Sequence, residues 1–277
     1  MQKILVTTDF SEHSNAGIYF AIQLASQNNA AIHFFHVFHT PANSAWDVLK
    51  KDAADLEHTE WAQTKLRQYV TDIYHELDIT APGFDCVTKV SVYPEATIRE
   101  YAAENNFDFI CISTRGAGGI NKIFGTTTGN LINHSDTPVI AVPFSYKPSE
   151  IVRVLYSSDL EHVENELETV LTFTQPIGAT LELLHFVTPS TKHLNTEHVQ
   201  QAIRKFPRHT IETNIPDADL TKPIIQNIEL AIQKNKPSMI VMFTQQNRSL
   251  FQRVFLSSKS EEYSFKVTIP LLVYQKS

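Results

Sequence analysis

The feature of this sequence that most constrains its fold is an internal repeat. Three segments of the first half return in the same order in the second half, at offsets of about 130 to 150 residues. In the first pair, a short apolar run is followed by small polar residues, an aspartate and an apolar residue. The pairs are Lys3–Phe10 with Arg153–Leu160, Ala31–Val37 with Thr180–Phe186, and Thr137–Val142 with Ile269–Tyr274. The repeat predicts two similar domains, 1–146 and 147–277, joined around residues 144–149.

Apolar segments in each half alternate with segments of helical periodicity. Ile4–Thr7 is typical of a buried strand, and Ser11 is placed to cap the helix that follows it. Ser44 is placed to cap a longer helix that reaches about Leu77. Strands that are almost entirely apolar are typical of parallel sheets, which are covered on both faces. We therefore expect an α/β fold of two tandem doubly wound domains, each a five-stranded parallel sheet with helices on both faces.

The composition argues against several functional classes. A net charge of -7 offers no basic face of the kind with which duplex nucleic-acid binders neutralise phosphates. The two cysteines, Cys86 and Cys111, lie in apolar segments and form neither a disulfide framework nor a zinc ligand set. No apolar run approaches the roughly 20 residues that span a bilayer, and the N-terminal segment lacks the features of a signal peptide. We expect a cytoplasmic protein without a nucleic-acid or membrane partner.

A glycine-rich segment follows an apolar strand and leads into a predicted helix. Five of the eight glycines fall between Gly116 and Gly129, and Arg115 precedes them with a positive charge. Glycine lets backbone N–H groups approach an anion closely, and the N-terminus of the next helix adds donors and a favourable dipole. The segment therefore predicts a phosphate-binding loop, with a surface loop of accidental glycine bias as the alternative.

The segment is neither of the two commonest phosphate-binding motifs. It is not a P-loop, because no Gly-Lys-Ser or Gly-Lys-Thr ending follows. It is not the Rossmann fingerprint, because Asn121 stands where the final glycine belongs.

The spacing within this segment is nevertheless specific. Two residues separate Gly116 from Gly119, nine residues separate Gly119 from Gly129, and Asn130 follows directly. This pattern resembles that of the nucleotide-binding members of the universal stress protein family. The opening, second and last strand-like segments of the first half are also similar to those of the family.

The resemblance implies a homodimer-forming α/β fold that holds ATP, often with a divalent metal such as Mg²⁺. It implies that Asp9 and the backbone near Thr8 and Val37 contact the adenosine part of the nucleotide. The phosphate cradle that it implies consists of Gly116, Gly119, Gly129 and Asn130, and we add the charge of Arg115 to this binding set. Several phosphate lengths can share one glycine cradle, so ATP and an AMP-like ligand both stay open.

The second half departs from this pattern. Its corresponding segment, Thr244–Phe251, contains no glycine, and no glycine follows it. A Cβ at every position hinders the close approach of the backbone to a triphosphate. Asp159 repeats Asp9, although an aspartate after a strand often simply caps a helix. We expect the second domain to have lost ATP binding and to serve packing, a partner or another ligand.

No residues form a recognisable catalytic or metal-binding set. His33 and His39 would face opposite to His36 on a strand, so the three do not converge on a metal. His36 and His185 occupy equivalent positions of the repeat, which indicates a packing role common to both domains.

Three functions stay open on the sequence. The one we favour is an ATP-binding stress-response regulator with slow hydrolysis at most. The others are an ATP-using enzyme of related fold and an interaction scaffold that holds no nucleotide. ATP-using enzymes of the related fold carry a glycine-rich loop after the first strand. The corresponding segment here, Thr7–Ser11, contains no glycine, which argues against such an enzyme. We also expect the two domains to pair within the chain, with a homodimer of chains as a further option.

Overall fold

The computed structural model describes residues 1–39, 51–114, 126–189, 191, 196–244 and 268–276, with the main chain alone for 51–57 and 196. The strands of the first half are β1 (Lys3–Thr7), β2 (Ala31–Phe38), β3 (Asp85–Val90), β4 (Phe109–Ser113) and β5 (Val139–Val142). Its helices are a 3₁₀ turn (Glu12–Ser14), α1 (Asn15–Asn28), α2 (Lys51–Glu76), α3 (Pro94–Glu104) and α4 (Thr126–His134).

The second half repeats this order with shorter elements. Its strands are β6 (Arg153–Ser157), β7 (Thr180–Leu184), β8 (Ile211–Asn214), β9 (Met239–Thr244) and β10 (Leu271–Gln275). Its helices are α5 (Val163–Thr174), α6 (Thr196–Arg204) and α7 (Ile224–Asn235). The long α2 thus has the short α6 as its counterpart, which follows from the smaller number of residues between β7 and β8.

The described strands form one sheet in the order β3-β2-β1-β4-β5-β10-β9-β6-β7-β8. Within each half every neighbouring pair is parallel, and the strand order reverses once, between β1 and β4 and between β6 and β9. The prediction of two doubly wound domains with five parallel strands each is therefore confirmed. The boundary at residue 146 stays a prediction.

The two halves meet at β5 and β10, the only antiparallel pair among the described strands. Leu272 lies opposite Ile140 at the centre of this seam. Next to it, the Gln27 side chain donates to the Ile151 carbonyl at 3.1 Å and accepts from the Ile151 N–H at 2.9 Å. The expected pairing of the domains within the chain is thus present as a continuous sheet.

Helices cover both faces of the sheet, as the apolar strands predict. Along β1, Ile4 and Val6 belong to one apolar layer and Leu5 to the other. Helices α1, α2 and α5 contribute side chains to the first layer, and α3, α4 and α7 contribute to the second. Each layer runs through both halves, so the core does not separate at the seam.

The predicted start of the first helix is confirmed. Ser11 has an extended backbone conformation, and its side-chain oxygen accepts from the Ser14 N–H at 3.3 Å. The chain enters α1 through a 3₁₀ turn rather than directly. The helix expected to begin after Ser44 is described from Lys51, and Ser44 itself lies outside the described residues.

We predict that Leu272→Ala lowers the free energy of unfolding by about 2–5 kcal/mol, because it removes a fully buried side chain from the seam and leaves a cavity. The matched control is Leu230→Ala on α7, where the leucine is 47% exposed. That change should cost less than about 1 kcal/mol. Urea denaturation followed by circular dichroism measures both. Equal losses in the two variants would contradict a seam that stabilises the fold.

Candidate functional site

The strand order places a crevice at the carboxyl ends of β1 and β4, where doubly wound sheets bind ligands. We call it the β1–β4 crevice and define it by Thr8–Asp9 after β1, Ser113–Thr114 at the end of β4, and the first residues of α4. The predicted residues Thr8, Asp9, Val37, Gly129 and Asn130 lie at this carboxyl edge. Arg115, Gly116 and Gly119 lie outside the described residues.

The turn after β1 is held by Thr8, which is buried. Its N–H donates to the Phe35 carbonyl at 3.1 Å, so the β1–β2 pairing extends one residue beyond the strand. Its hydroxyl pairs with the Ser14 hydroxyl at 2.8 Å and accepts from the Phe10 N–H at 3.1 Å. Phe10 has a left-handed backbone, with φ of 62°. This conformation is uncommon outside glycine, and the Thr8 hydroxyl stabilises it here.

Asp9 lies exposed at the rim of this turn. Its Oδ1 accepts from both the N–H and the hydroxyl of Ser11, at 3.0 and 2.6 Å. These bonds hold the carboxylate at the edge of the crevice. The residue that the sequence predicts to contact the nucleotide thus also stabilises the turn itself.

His36 fastens the same turn from β2. Its Nδ1 lies 2.8 Å from the Thr8 carbonyl oxygen, and because a carbonyl only accepts, Nδ1 carries the hydrogen. Burial lowers the pKa of His36, against the opposing effects of this hydrogen bond and of the Asp9 charge. His185 makes the same contact with the Ser158 carbonyl at 2.9 Å. The common packing role expected for the two histidines is thus a bond to the first turn of each half.

Short polar contacts hold the end of β4 against the 3₁₀ turn before α1 and against α4. The Ser113 hydroxyl donates to the His13 carbonyl at 2.6 Å, and the Thr128 hydroxyl donates to the Ser113 carbonyl at 2.9 Å. Gly17 of α1 faces the same place, and a Cβ there would lie 3.2 Å from the Ser113 nitrogen. Sequence reasoning missed Gly17, because an isolated glycine in a helical pattern does not reveal which strand it approaches.

Gly129 and Asn130 lie within α4, just beyond its first three residues. Gly129 is buried and Asn130 is half-buried. Because α4 follows β4, its N-terminus points to the carboxyl edge of the sheet and presents backbone donors there. Val37 is half-buried near the end of β2, where it pairs with Lys89 of β3 and packs on the second apolar layer.

The second half copies the turn after its first strand. Ser158 donates its N–H to the Leu184 carbonyl at 2.9 Å and accepts from the Leu160 N–H at 3.0 Å. Leu160 has a φ of 69°, close to that of Phe10. Asp159 Oδ1 accepts from the Glu161 N–H at 3.1 Å. The polar residues of the sequence repeat therefore encode a backbone turn, whatever either domain binds.

The second half differs in a lysine that lies over this turn. We call Lys276, Asp159, Glu161 and Glu166 the Lys276 cluster. The Lys276 side chain is only 7% exposed; its ammonium donates to Asp159 and lies 3.5 Å from Glu161 and 3.7 Å from Glu166. Burial lowers the pKa of Lys276, but the hydrogen bond to Asp159 and the charges of Asp159, Glu166 and Glu161 together raise that pKa overall.

Glu166 connects this lysine to the core of the second half. It is buried on α5, and the Tyr156 hydroxyl donates to its Oε2. The Tyr156 hydroxyl also lies 2.8 Å from that of Ser158. Burial raises the pKa of Glu166, against the opposing effects of Tyr156 and Lys276. At the repeat offset, the first half has Val6 and Ala16 in place of Tyr156 and Glu166, so it lacks this network.

The described residues hold no group of three or more histidine, cysteine, aspartate or glutamate side chains that could bind a metal ion. Cys86 and Cys111 are both buried and unpaired by disulfide. Burial raises the pKa of the Cys86 thiol to about 11 and also raises that of Cys111, so both are poor nucleophiles at neutral pH. Among the described helices, none has the length and apolarity to cross a bilayer.

Comparison with known proteins identifies relatives of the first half and structures similar to the whole. A universal stress protein A homolog from Coxiella burnetii is 25% identical over 140 residues, which are 50% of this chain and 94% of that protein. A universal stress protein from Archaeoglobus fulgidus superimposes with a TM-score of 0.69 at 17% identity, covering 99% of this chain and 98% of the other. A putative universal stress protein from Pseudomonas aeruginosa gives 0.58 at 13% identity, covering 99% and 93%.

The structural matches show that the tandem arrangement occurs in other proteins along nearly their whole length. At these identities they establish the fold alone. The universal stress protein family model matches residues 1–143, which include the β1 turn, β4, the glycine pattern and α4. The chain therefore belongs to the universal stress protein family.

Proposed function

We propose that this protein is a nucleotide-binding regulator of the stress response that holds one ATP, with Mg²⁺, in the β1–β4 crevice and hydrolyses it slowly at most. The observation that carries the proposal is the position of α4. The helix begins at the carboxyl edge beside the strand reversal, and Gly129 and Asn130 in it complete the family's glycine spacing. Such a helix N-terminus is a binding site for phosphate.

The adenosine part of the nucleotide would lie against β1 and β2. A carboxylate accepts up to about four hydrogen bonds, so Asp9 can bind a ribose hydroxyl in addition to Ser11. The backbone beside Thr8 and Val37 would line the base. Thr8 is held by the Phe35 carbonyl and by Ser14, so this wall is organised before a ligand binds.

The phosphates would lie against α4 and the glycine-rich segment. Gly129 is buried in the first turn of α4 and has no Cβ to hinder the approach of a phosphate to the backbone, and Asn130 adds an amide donor. Arg115, Gly116 and Gly119 complete the proposed cradle on the sequence pattern alone. Mg²⁺ would arrive with the phosphates, since it is usually held by phosphate oxygens, water and few protein ligands.

We also propose that the second half no longer holds a nucleotide by this route. Asp159 stands where Asp9 stands in the first half, but its carboxylate is bound by Lys276. The ammonium thus occupies the rim at which a ribose would be recognised. The second half instead supplies β10, which covers β5. The homodimer implied by the family and the cytoplasmic location stay predictions, and such a dimer would have to use a surface other than the β5 edge.

Calorimetric titration of ATP and Mg²⁺ into the full chain should give one site per chain. Gly129→Val should abolish it, because a branched side chain at this buried position of the first turn of α4 would hinder the close approach of the phosphates. Gly83→Val is the matched control: an added Cβ there meets nothing within 4 Å, so binding should be unchanged. Circular dichroism of both variants verifies folding.

Parallel titrations with AMP and a phosphate-release assay distinguish the ligand and the class of function. Tighter binding of ATP than of AMP supports the phosphate cradle. Two sites per chain would contradict the proposal that the second half no longer holds a nucleotide. Sustained rapid phosphate release would favour an ATP-using enzyme. Absence of binding by either nucleotide would refute the proposal.

We predict that Lys276→Met destabilises the protein in a pH-dependent way. Losing the ammonium raises the pKa of buried Glu166 further. A carboxyl whose pKa is higher in the folded state contributes stability that is fully present below its unfolded pKa and is lost as pH rises through its folded pKa. The variant should be about 1–3 kcal/mol less stable at neutral pH. The loss should be smaller at about pH 4, where Glu166 is protonated and the part due to Glu166 disappears, leaving the lost contact with Asp159.

Urea denaturation at the two pH values measures this effect. Lys222→Met is the control, since it removes an exposed lysine that pairs with Asp219 at 2.8 Å. The pKa of Asp219 is held at about 2, mainly by its hydrogen bond to Lys222, so Asp219 is charged at both pH values. The loss in free energy of unfolding caused by Lys222→Met should therefore be about the same at both. A loss in Lys276→Met that is constant with pH would exclude the link to Glu166.

A further inference from the structure

Helix α4, on which the proposed phosphate site depends, has a sequence that favours a helix only weakly. Its nine residues, Thr126–His134, include three threonines, two asparagines and a glycine. These residue types have low helix propensity, and isolated helices shorter than about 12 residues are only marginally stable in water. The rest of the molecule must therefore hold α4 in place.

The first half holds α4 near its N-terminal end and along its buried side. The Thr128 hydroxyl donates to the Ser113 carbonyl of β4 at 2.9 Å. Leu131 and Ile132 are buried and belong to the second apolar layer. Neither contact satisfies the carbonyls at the C-terminal end of the helix, which have no partners within the helix itself.

Two of these terminal carbonyls accept hydrogen bonds from very different parts of the chain. The Leu131 carbonyl accepts from the N–H of Ser135, the residue directly after the helix, at 2.9 Å. The Ile132 carbonyl accepts from the side-chain amide of Gln275 at 2.9 Å. Gln275 is the last residue of β10. The second half thus donates a hydrogen bond to the end of α4 in the first half.

The antiparallel seam brings Gln275 to this position. Because β10 runs against β5, the end of β10 lies beside the start of β5. The end of α4 lies there too, since α4 ends at His134 and β5 begins at Val139. The second half fixes Gln275 in turn: it lies opposite Thr244 of β9, whose carbonyl accepts from the Lys276 N–H at 2.8 Å. The amide donor therefore belongs to a strand end that is itself held in place.

The amide oxygen of Gln275 indicates that this side chain does more than fill space. Its Oε1 is buried and has no hydrogen-bond partner in the described part of the chain. A buried acceptor without a partner is destabilising, and an apolar side chain of similar size would avoid that cost. At the equivalent position of the repeat the first half has Pro143, which has no side-chain donor. The repeat therefore gives this donor to the second half alone.

We propose that Gln275 is a positioning residue for nucleotide binding in the first half. Its bond to Ile132 fixes α4, so that the N–H groups at the start of the helix meet the phosphates of the nucleotide. The bond can act in this way because Ile132 lies less than two turns beyond the start of the helix, and a helix moves as one unit. This inference rests on the proposed function, in which α4 binds phosphate. The second half thus serves the first-half site without binding a nucleotide itself.

The variant Gln275→Met tests this role, because it keeps the length of the side chain and removes the donor. ATP with Mg²⁺, and adenosine in parallel, are titrated by calorimetry into the full chain. ATP binding should weaken about three- to tenfold, since the helix must then be ordered when the ligand binds. Adenosine has no phosphate to meet α4 and should weaken less than about twofold. Gln275→Lys keeps a donor for the end of the helix and should restore most of the ATP affinity.

Gln63→Met is the matched control. Gln63 also donates to a backbone carbonyl, that of Cys86 at 3.1 Å, but on β3 at the far edge of the sheet. This variant should leave both affinities unchanged. Hydrogen exchange of the unliganded chains, followed by mass spectrometry, should be faster in α4 for Gln275→Met and unchanged there for Gln63→Met. Circular dichroism verifies that each variant is folded.

Three results would overturn this inference while leaving the nucleotide proposal intact. The first is an ATP affinity that Gln275→Met does not change. The second is equal weakening of ATP and adenosine, which would indicate a general loss of stability rather than a misplaced phosphate helix. The third is exchange in α4 that is unchanged by Gln275→Met. A parent chain that binds neither ligand would instead refute the nucleotide proposal, and this inference with it.

Discussion

The antiparallel pairing of β5 with β10 is the interaction on which the rest of this structure depends. It joins two parallel five-stranded sheets into one and lets both apolar layers run across the seam. A buried sheet edge has unpaired backbone groups that need partners, and each half supplies those partners to the other. The pairing also reverses the direction of the second half, so its carboxyl edge lies beside the amino edge of the first.

The turns at the two strand reversals share a backbone conformation. In both left-handed turns the hydroxyl of Thr8 or Ser158 accepts from the N–H two residues on, and the ring of His36 or His185 bonds to the carbonyl of that same residue. The halves differ in the side chains around the turn. In the first half, β4 is followed by α4, which contains Gly129. The second introduces a buried glutamate that requires compensation, and the ammonium of Lys276 supplies part of it.

Much of the first-half site follows from local patterns. The repeat, the cap at Ser11 and the alternation of strands and helices each depend on residues close in sequence, and the structure confirms them. Gly17 and the partners of Glu166 were missed, because their contacts join residues far apart in sequence. Glu166 in α5 would pass as a solvent-facing helix residue until Tyr156 and Lys276 are placed beside it. The glycine-rich segment is known from its spacing rather than from its geometry.

The sequence by itself determined the family and the duplication, and it predicts where a nucleotide would bind, because hydrophobic periodicity, helix caps and glycine spacing act over a few residues. Only the tertiary structure decided how the halves join and that Lys276 binds Asp159. Those features depend on strand direction and on contacts across the chain. The sequence pattern does not show which sheet edges pair, because that pairing depends on the combined burial of apolar surface from both domains.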